Sequence, residues 1–198
     1  MARPKKANKE EMATVKIENA FWKLLETERY DDITVLRICQ ESGTNRNSFY
    51  YHYKDIDNLA YTAFRNNADA DVSGSLLSAL LSSFQGTEIK YVTDFDPMIL
   101  PRSKKIMLCA SSDSVFLNRL VRDLLKQTWF EALSIDEELL TIVDVLQIDF
   151  IFSGLTTVLG SPEIKNSPIL MSELSQTEVG KAAIAVMKNI AIKQKSQA

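Results

Sequence analysis

Histidine is almost missing from this chain: His52 is the only one among 198 residues, and Cys39 and Cys109 are the only cysteines. A lone imidazole excludes two-histidine metal sites, and neither thiol has a metal-ligand neighbour at a usable spacing. Two buried, reduced thiols are expected rather than a disulfide framework. Proline and glycine are also scarce, five and six residues and scattered, which favours long helices over tight turns. No strand-like alternation persists and no repeat is visible. Strong net charge is lacking too: a formal charge of -3 argues against an indiscriminate polyanion coat. The longest apolar stretch, Phe150 to Leu159, is broken by Ser153, Gly154, Thr156 and Thr157, so no membrane partner is expected from it. With no nucleophile motif, glycine-rich phosphate loop or metal cluster, neither an enzyme nor a bound cofactor or metal is expected.

What is present is an ordinary globular composition, 45% hydrophobic and 25% charged, long enough for one or two domains with a real core. Charge placement says more than its sum. Arg3, Lys5, Lys6 and Lys9 stand with no acid among them, a basic arm on an acidic protein. The arm is compatible with a solvated tail and with an extra phosphate or minor-groove contact. It leads into a charged helical pattern rather than an apolar run, so no signal peptide is expected and the cytoplasm is the expected compartment.

Helical periodicity and cap residues predict the elements. Asn8, with Glu11, is expected to cap a first helix whose inner stripe is Ile17, Phe21, Leu24 and Leu25, ending between Glu28 and Asp31. Thr34 caps a short second helix with Val35, Ile38 and Cys39 inward, ending at Gly43. Asn45 caps a third with Phe49 and Tyr53 inward. Asp55 caps a fourth bearing Leu59, Ala63 and Phe64. An apolar pattern resumes from Leu76 to Phe84; residues 85–101 are expected to contain a loop, with Asp96 and Pro97 placed to start one turn of helix. Ser112 or Asp113 is expected to cap a helix carrying Val115, Phe116, Leu120, Leu124 and Trp129. Ser134 with Glu137 reads as a capping box opening a helix that runs to Leu159. Pro162 and Pro168 mark a loop, and Ser175 with Glu178 a further capping box before a last helix with Val179, Ala183, Val186, Met187 and Ile190 along one stripe.

The helix ending at Leu159 is apolar nearly all round, so it needs cover on more than one side. One side is expected to be the domain core and another a second subunit. Asp144 and Asp149 on it are open to three readings: a cationic ligand, a pair across a dimer, or a narrow wet edge.

The third helix carries the densest chemistry. Arg46, Asn47, Ser48, Tyr50, Tyr51, His52 and Lys54 crowd into nine residues. Arg46 at the first turn suits guanine O6 and N7, Asn47 suits adenine, and Ser48 or the exposed amides suit a phosphate. Tyr50 and Tyr51 offer rings to thymine methyls and hydroxyls to phosphate; His52 and Lys54 suit backbone contacts at the far end. Catalysis by a lone His52 has no supporting nucleophile or orienting acid. Arg46, Tyr50 and Lys54 share a face with Asn47 and Tyr51 beside it, while Phe49 and Tyr53 share the opposite one.

The run from Ile33 to Leu59, with its Gly43 turn and its SFYYHYKDIDNL ending, resembles the DNA-binding domain of the TetR family of bacterial transcriptional regulators, over roughly the first third of the chain. The resemblance implies an all-α protein: residues 1–60 as a helix-turn-helix domain (the motif near 34–53) and residues 61–198 as a helical ligand-sensing and dimerisation domain. By position, it implies a phosphate contact at Thr34, base-facing roles for Arg46, Asn47 and Tyr51, and backbone contacts from Ser48, Tyr50, His52 and Lys54, with Asn45 capping their helix. Asn47 stands where the family more often has Gly, Ala or Pro. The expected function is therefore a homodimeric, sequence-specific DNA-binding regulator, a repressor released by a small-molecule effector. Its last two long helices would form the dimer, setting two reading heads about 34–36 Å or a longer helical spacing apart. The alternative is an adaptor or co-activator of the same architecture acting through protein contacts. Met107, Phe116, Trp129, Phe130, Phe150 and Phe152 are candidates to line an apolar effector pocket, with ordinary core packing as the competing reading for each.

Overall fold

The computed structural model describes residues 6–67, 99–166, 173, 174 and 176–196; the side chains of residues 6–11, 99–103, 165 and 166 are outside that description. The basic arm's side chains, the pattern from Leu76 to Phe84, most of the expected loop over 85–101, Pro168 and Ser175 all lie outside the described residues. Among the described residues the chain is all-helical, with no strand.

The helices are α1 (Lys6–Leu25), α2 (Val35–Ser42), α3 (Arg46–His52), α4 (Ile56–Asn67), α5 (Ile99–Ala110), α6 (Val115–Leu133), α7 (Ile142–Leu159), α8 (Pro162–Asn166) and α9 (Glu178–Lys195). Ile17, Phe21, Leu24 and Leu25 are buried along the inner stripe of α1. Its start at Lys6 puts Asn8 inside the first turn instead of at the cap, and it ends at Leu25, ahead of the Glu28–Asp31 stretch. A single 3-10 turn, Tyr30–Asp32, then leads to α2.

Local cap chemistry fixes the next three helices. Thr34 Oγ1 accepts from the Arg37 amide at 3.3 Å, Asn45 Oδ1 from the Ser48 amide at 2.8 Å, and Asp55 Oδ1 from the Asn58 amide at 2.8 Å. Each satisfies an amide that the helix itself leaves unpaired. Gly43 ends α2 in the left-handed region, φ 65°, where a side chain would be strained. The α1–α4 group is closed by Ile38, Phe49, Tyr53, Leu59 and Phe64, all buried.

α4 packs on α1 at one side and on α5 and α6 at the other, so one hydrophobic core runs unbroken from Ile17 to Ala191. α6 is the hub of the second half, touching α4, α5, α7 and α9. α5 was not expected as a helix. Its inward residues are Ile106, Met107, Cys109 and Ala110, and Pro101 reads as a loop residue although the first turn of a helix tolerates proline. Burial pushes the Cys109 thiol up to about 12, so this cysteine is a small core side chain.

Three expected caps are corrected. Ser114, not Ser112 or Asp113, caps α6, accepting from the Leu117 amide at 3.4 Å. Ser134 closes α6 instead of opening the next helix. It sits at φ 55° with its amide turned back to Phe130 and Glu131 carbonyls, because Ile135 must tuck into the core immediately afterwards. The capping box belongs to Thr141 and Asp144, and α7 begins at Ile142. Thr177 caps α9, accepting from the Gly180 amide at 3.1 Å. Pro162 opens the short α8 rather than lying in a loop.

The ends of α5 and α7 meet with no side chain between them. A Cβ built on Gly160 would lie 2.3 Å from the Ala110 carbonyl oxygen, so only glycine fits without a backbone shift. Farther along, Gln194 of α9 brackets the turn before α7: its amide oxygen accepts from the Asp136 amide at 2.9 Å, and its Nε2 donates to the Asp136 carbonyl at 2.8 Å.

Candidate nucleic-acid interface

Two core rings hold α3 and decide which way the rest of it faces. Phe49 is fully buried and Tyr53 nearly so, and they contact each other with centroids 5.7 Å apart. Residues 100° to either side on a helix must then face outward. Tyr50 and Tyr51 are 58% and 70% exposed, far above what a core aromatic shows. Arg46 and Asn47 are exposed at the first turn, Ser48 and His52 are half-buried, and Lys54 is exposed just past the helix end. Thr34 lies exposed at the start of α2. The side chains of Arg46, Asn47 and Lys54 make no hydrogen bond or ion pair among the described residues, whereas Lys23 and Arg37 nearby are paired with Glu41 and Glu28. Free guanidinium, amide, ammonium and phenol groups thus share one surface. Tyr51 is steadied by the edge of His52, with centroids 4.8 Å apart.

Two hydrogen-bonded clusters behind this surface were not anticipated. Tyr53 Oη donates to Glu18 Oε1 at 3.0 Å, and Asn66 Nδ2 donates to the same oxygen at 2.8 Å. Tyr30 Oη donates to Asp57 Oδ1 at 2.5 Å in the first turn of α4, while its ring stacks on Phe116 of α6 at 6.0 Å. Burial first, then the adjoining carboxylate, raises the phenol pKa of both tyrosines well above the usual range. The partners are separated by 35, 48 and 27 residues; no local motif announces such pairs.

The six effector candidates are not brought together. Met107, Trp129, Phe130 and Phe152 are buried, and Phe116 is half-buried against Tyr30. Phe150 stands 83% exposed on the outer face of α7. Trp129 and Phe150 alone of the six line an open apolar groove of about 590 Å³ between α7 and α9.

Among the described residues α7 is covered on one side only. Asp144, Ile148, Phe152, Thr156 and Leu159 face inward, while Ile142, Val143, Leu146 and Phe150 are exposed. At 18 residues and mean hydropathy 1.7 it is, by length and composition, apolar enough to cross a membrane, a longer run than the interrupted stretch from Phe150 suggested. Asp144 has an intrachain duty. Its Oδ2 accepts from the Thr141 hydroxyl at 2.6 Å, the Thr141 amide at 2.9 Å and Lys193 Nζ at 3.0 Å. These contacts, the Thr141 hydroxyl foremost, hold its carboxyl below the usual range. Asp149 is exposed.

No protein-family model matches the chain, and no curated protein matches it either.

Proposed function

We propose that this protein is a homodimeric, sequence-specific DNA-binding transcriptional regulator of the TetR type, acting as a repressor that an effector releases. The observation that carries the reading is the outward set on α3. Arg46 and Asn47 at the first turn and Tyr50 and Tyr51 behind them are exposed on a helix pinned from beneath by Phe49 and Tyr53. A helix read in the major groove needs base-edge donors at its N-terminal turn and phosphate ligands along its flanks. Arg46 and Asn47 supply the first; Thr34, Ser48, Tyr50, His52 and Lys54 supply the second. The exposed hydrocarbon of α7 and the groove beside α9 support the dimer, since a stable two-fold interface needs about 800 Å² from each partner with a depleted charge at its centre. Effector control then follows from differential affinity for two spacings of the reading heads.

The test is selection from a randomised duplex pool, followed by gel-shift across a salt series. A palindromic sequence should be enriched, and the log of its affinity should fall with the log of salt by about 0.9 for each phosphate neutralised. A pool that stays random through successive rounds would overturn the DNA reading and leave a protein-docking role.

A further inference from the structure

Glu18 hydrogen-bonds to a residue at the end of α3 and to one at the end of α4. It projects from α1, and a single oxygen of its carboxylate accepts from Tyr53 at 3.0 Å and from Asn66 at 2.8 Å. Tyr53 is the residue that closes α3; Asn66 lies in the last turn of α4. No cation pairs with Glu18 among the described residues; two neutral donors orient its half-buried carboxylate, and hydrogen bonds to a carboxylate are about twice as strong as neutral ones. Asn66 thereby helps to hold the carboxylate where Tyr53 meets it.

The far end of α4 is tied as well. Asp57 in its first turn accepts from Tyr30, whose ring lies on Phe116 of α6. α4 is also the helix that packs both on α1 and on α5 and α6. α4 is therefore one route by which a shift of the second half of the molecule reaches the first. The pair Tyr53–Glu18 is the polar contact by which the position of α4's last turn is felt at α3.

We infer that Glu18 is a positioning residue. It ties the setting of α3 to the position of α4, so that the donors on α3 are held in register for the duplex only while Asn66 is in place. This rests on the DNA-reading role proposed above for its functional consequence, but the mechanical link can be measured without DNA.

Two readouts separate the two ideas. The first is hydrogen exchange in the free full-length protein. Asn66→Ala should speed exchange of the α3 amides about tenfold, because the Glu18 carboxylate is then no longer held in place for Tyr53. In a Tyr53→Phe background the same Asn66→Ala change should leave α3 unaltered, since the path is already cut. Glu18→Ala should reproduce the effect, and Glu18→Gln, whose amide oxygen still accepts, should restore most of the protection. A merely stabilising role would instead speed exchange everywhere and add independently in the double variant; that result, or an α3 indifferent to Asn66, overturns the link. The second readout is duplex binding with the sequence selected by the unaltered protein and a scrambled duplex of equal length. Tyr53→Phe and Asn66→Ala should each lower the ratio of selected to scrambled affinity about tenfold, with scrambled binding unchanged. Equal loss on both duplexes overturns the positioning role. If the unaltered protein selects no sequence while the exchange pattern holds, the DNA reading fails and the link stands.

Discussion

α3 and α7 both turn an exposed face outward, and the two faces could hardly differ more. α3 exposes Arg46, Asn47, Tyr50 and Tyr51, groups with hydrogen-bonding capacity left over; α7 exposes Ile142, Val143, Leu146 and Phe150, which have none. The anchoring is alike: Phe49 beneath α3 and Phe152 beneath α7 are each fully buried. What the contrast teaches is that a buried ring fixes a helix's rotation, and the neighbours one position either side then declare the kind of partner it awaits. On the proposed function, the partner of α3 is a polyanion bound in a salt-sensitive way and that of α7 is another apolar surface.

The sharpest way to break the comparison is along α7 itself. Phe152→Ala should cost about 3–5 kcal/mol in urea unfolding, because it opens a cavity in the core. Phe150→Ala, two residues away and 83% exposed, should leave protomer unfolding within about 0.5 kcal/mol. Its effect should instead appear in sedimentation, as a weaker dimer. A Phe150→Ala protein with unchanged dimer affinity would move the subunit contact off this face. On α3, Arg46→Ala should weaken binding to the selected duplex by about 1–3 kcal/mol and relax preference at one base pair. Preference unchanged at every position would remove Arg46 from base reading.

Smaller effects test the supports of each face. Thr141→Ala should cost about 1 kcal/mol in thermal or urea unfolding by removing the α7 cap. The pH dependence should be smaller still. Asp144 is held below the ordinary carboxyl range in the folded protein. Its contribution is therefore present above about pH 4, the unfolded value, and lost as pH falls through the folded one. Asp144→Asn should flatten that part of the acid limb; an unaltered limb would show that Thr141 and Lys193 do not favour the ionised form. At the other extreme Tyr30 and Tyr53 have raised values, so stability should fall as pH rises above about 10, where the unfolded chain ionises first.

The first four helices were legible because their signals are local. Thr34, Gly43, Asn45 and Asp55 act on amides or backbone angles within a few residues, and Ile17, Phe21, Phe49 and Phe64 repeat at helical spacing. The outward set on α3 followed from the same spacing. The second half was less legible because its signals are ambiguous without packing. Ser134 with Glu137 fits a capping box as well as Thr141 with Asp144 does, and only the burial of Ile135 decides between them. The helix α5 hides behind Pro101, which reads as a loop residue. Phe150 and Phe152 are indistinguishable by type; a rotation of α7 set by α6 and α9 separates core from surface. Glu18 gave no signal at all, since its donors arrive from distant turns of chain.

Gly160 makes a corner of two helices. Nothing wider than a hydrogen atom fits between its Cα and the Ala110 carbonyl, so the tail of α7 lies directly on the tail of α5. A side chain at this corner would pry the two helices apart. α5 carries Lys105, whose ammonium rests 5.0 Å above the Trp22 ring of α1. One continuous line of contact, a single hydrogen thick at its tightest point, thus runs from α7 to the helix that bears Glu18.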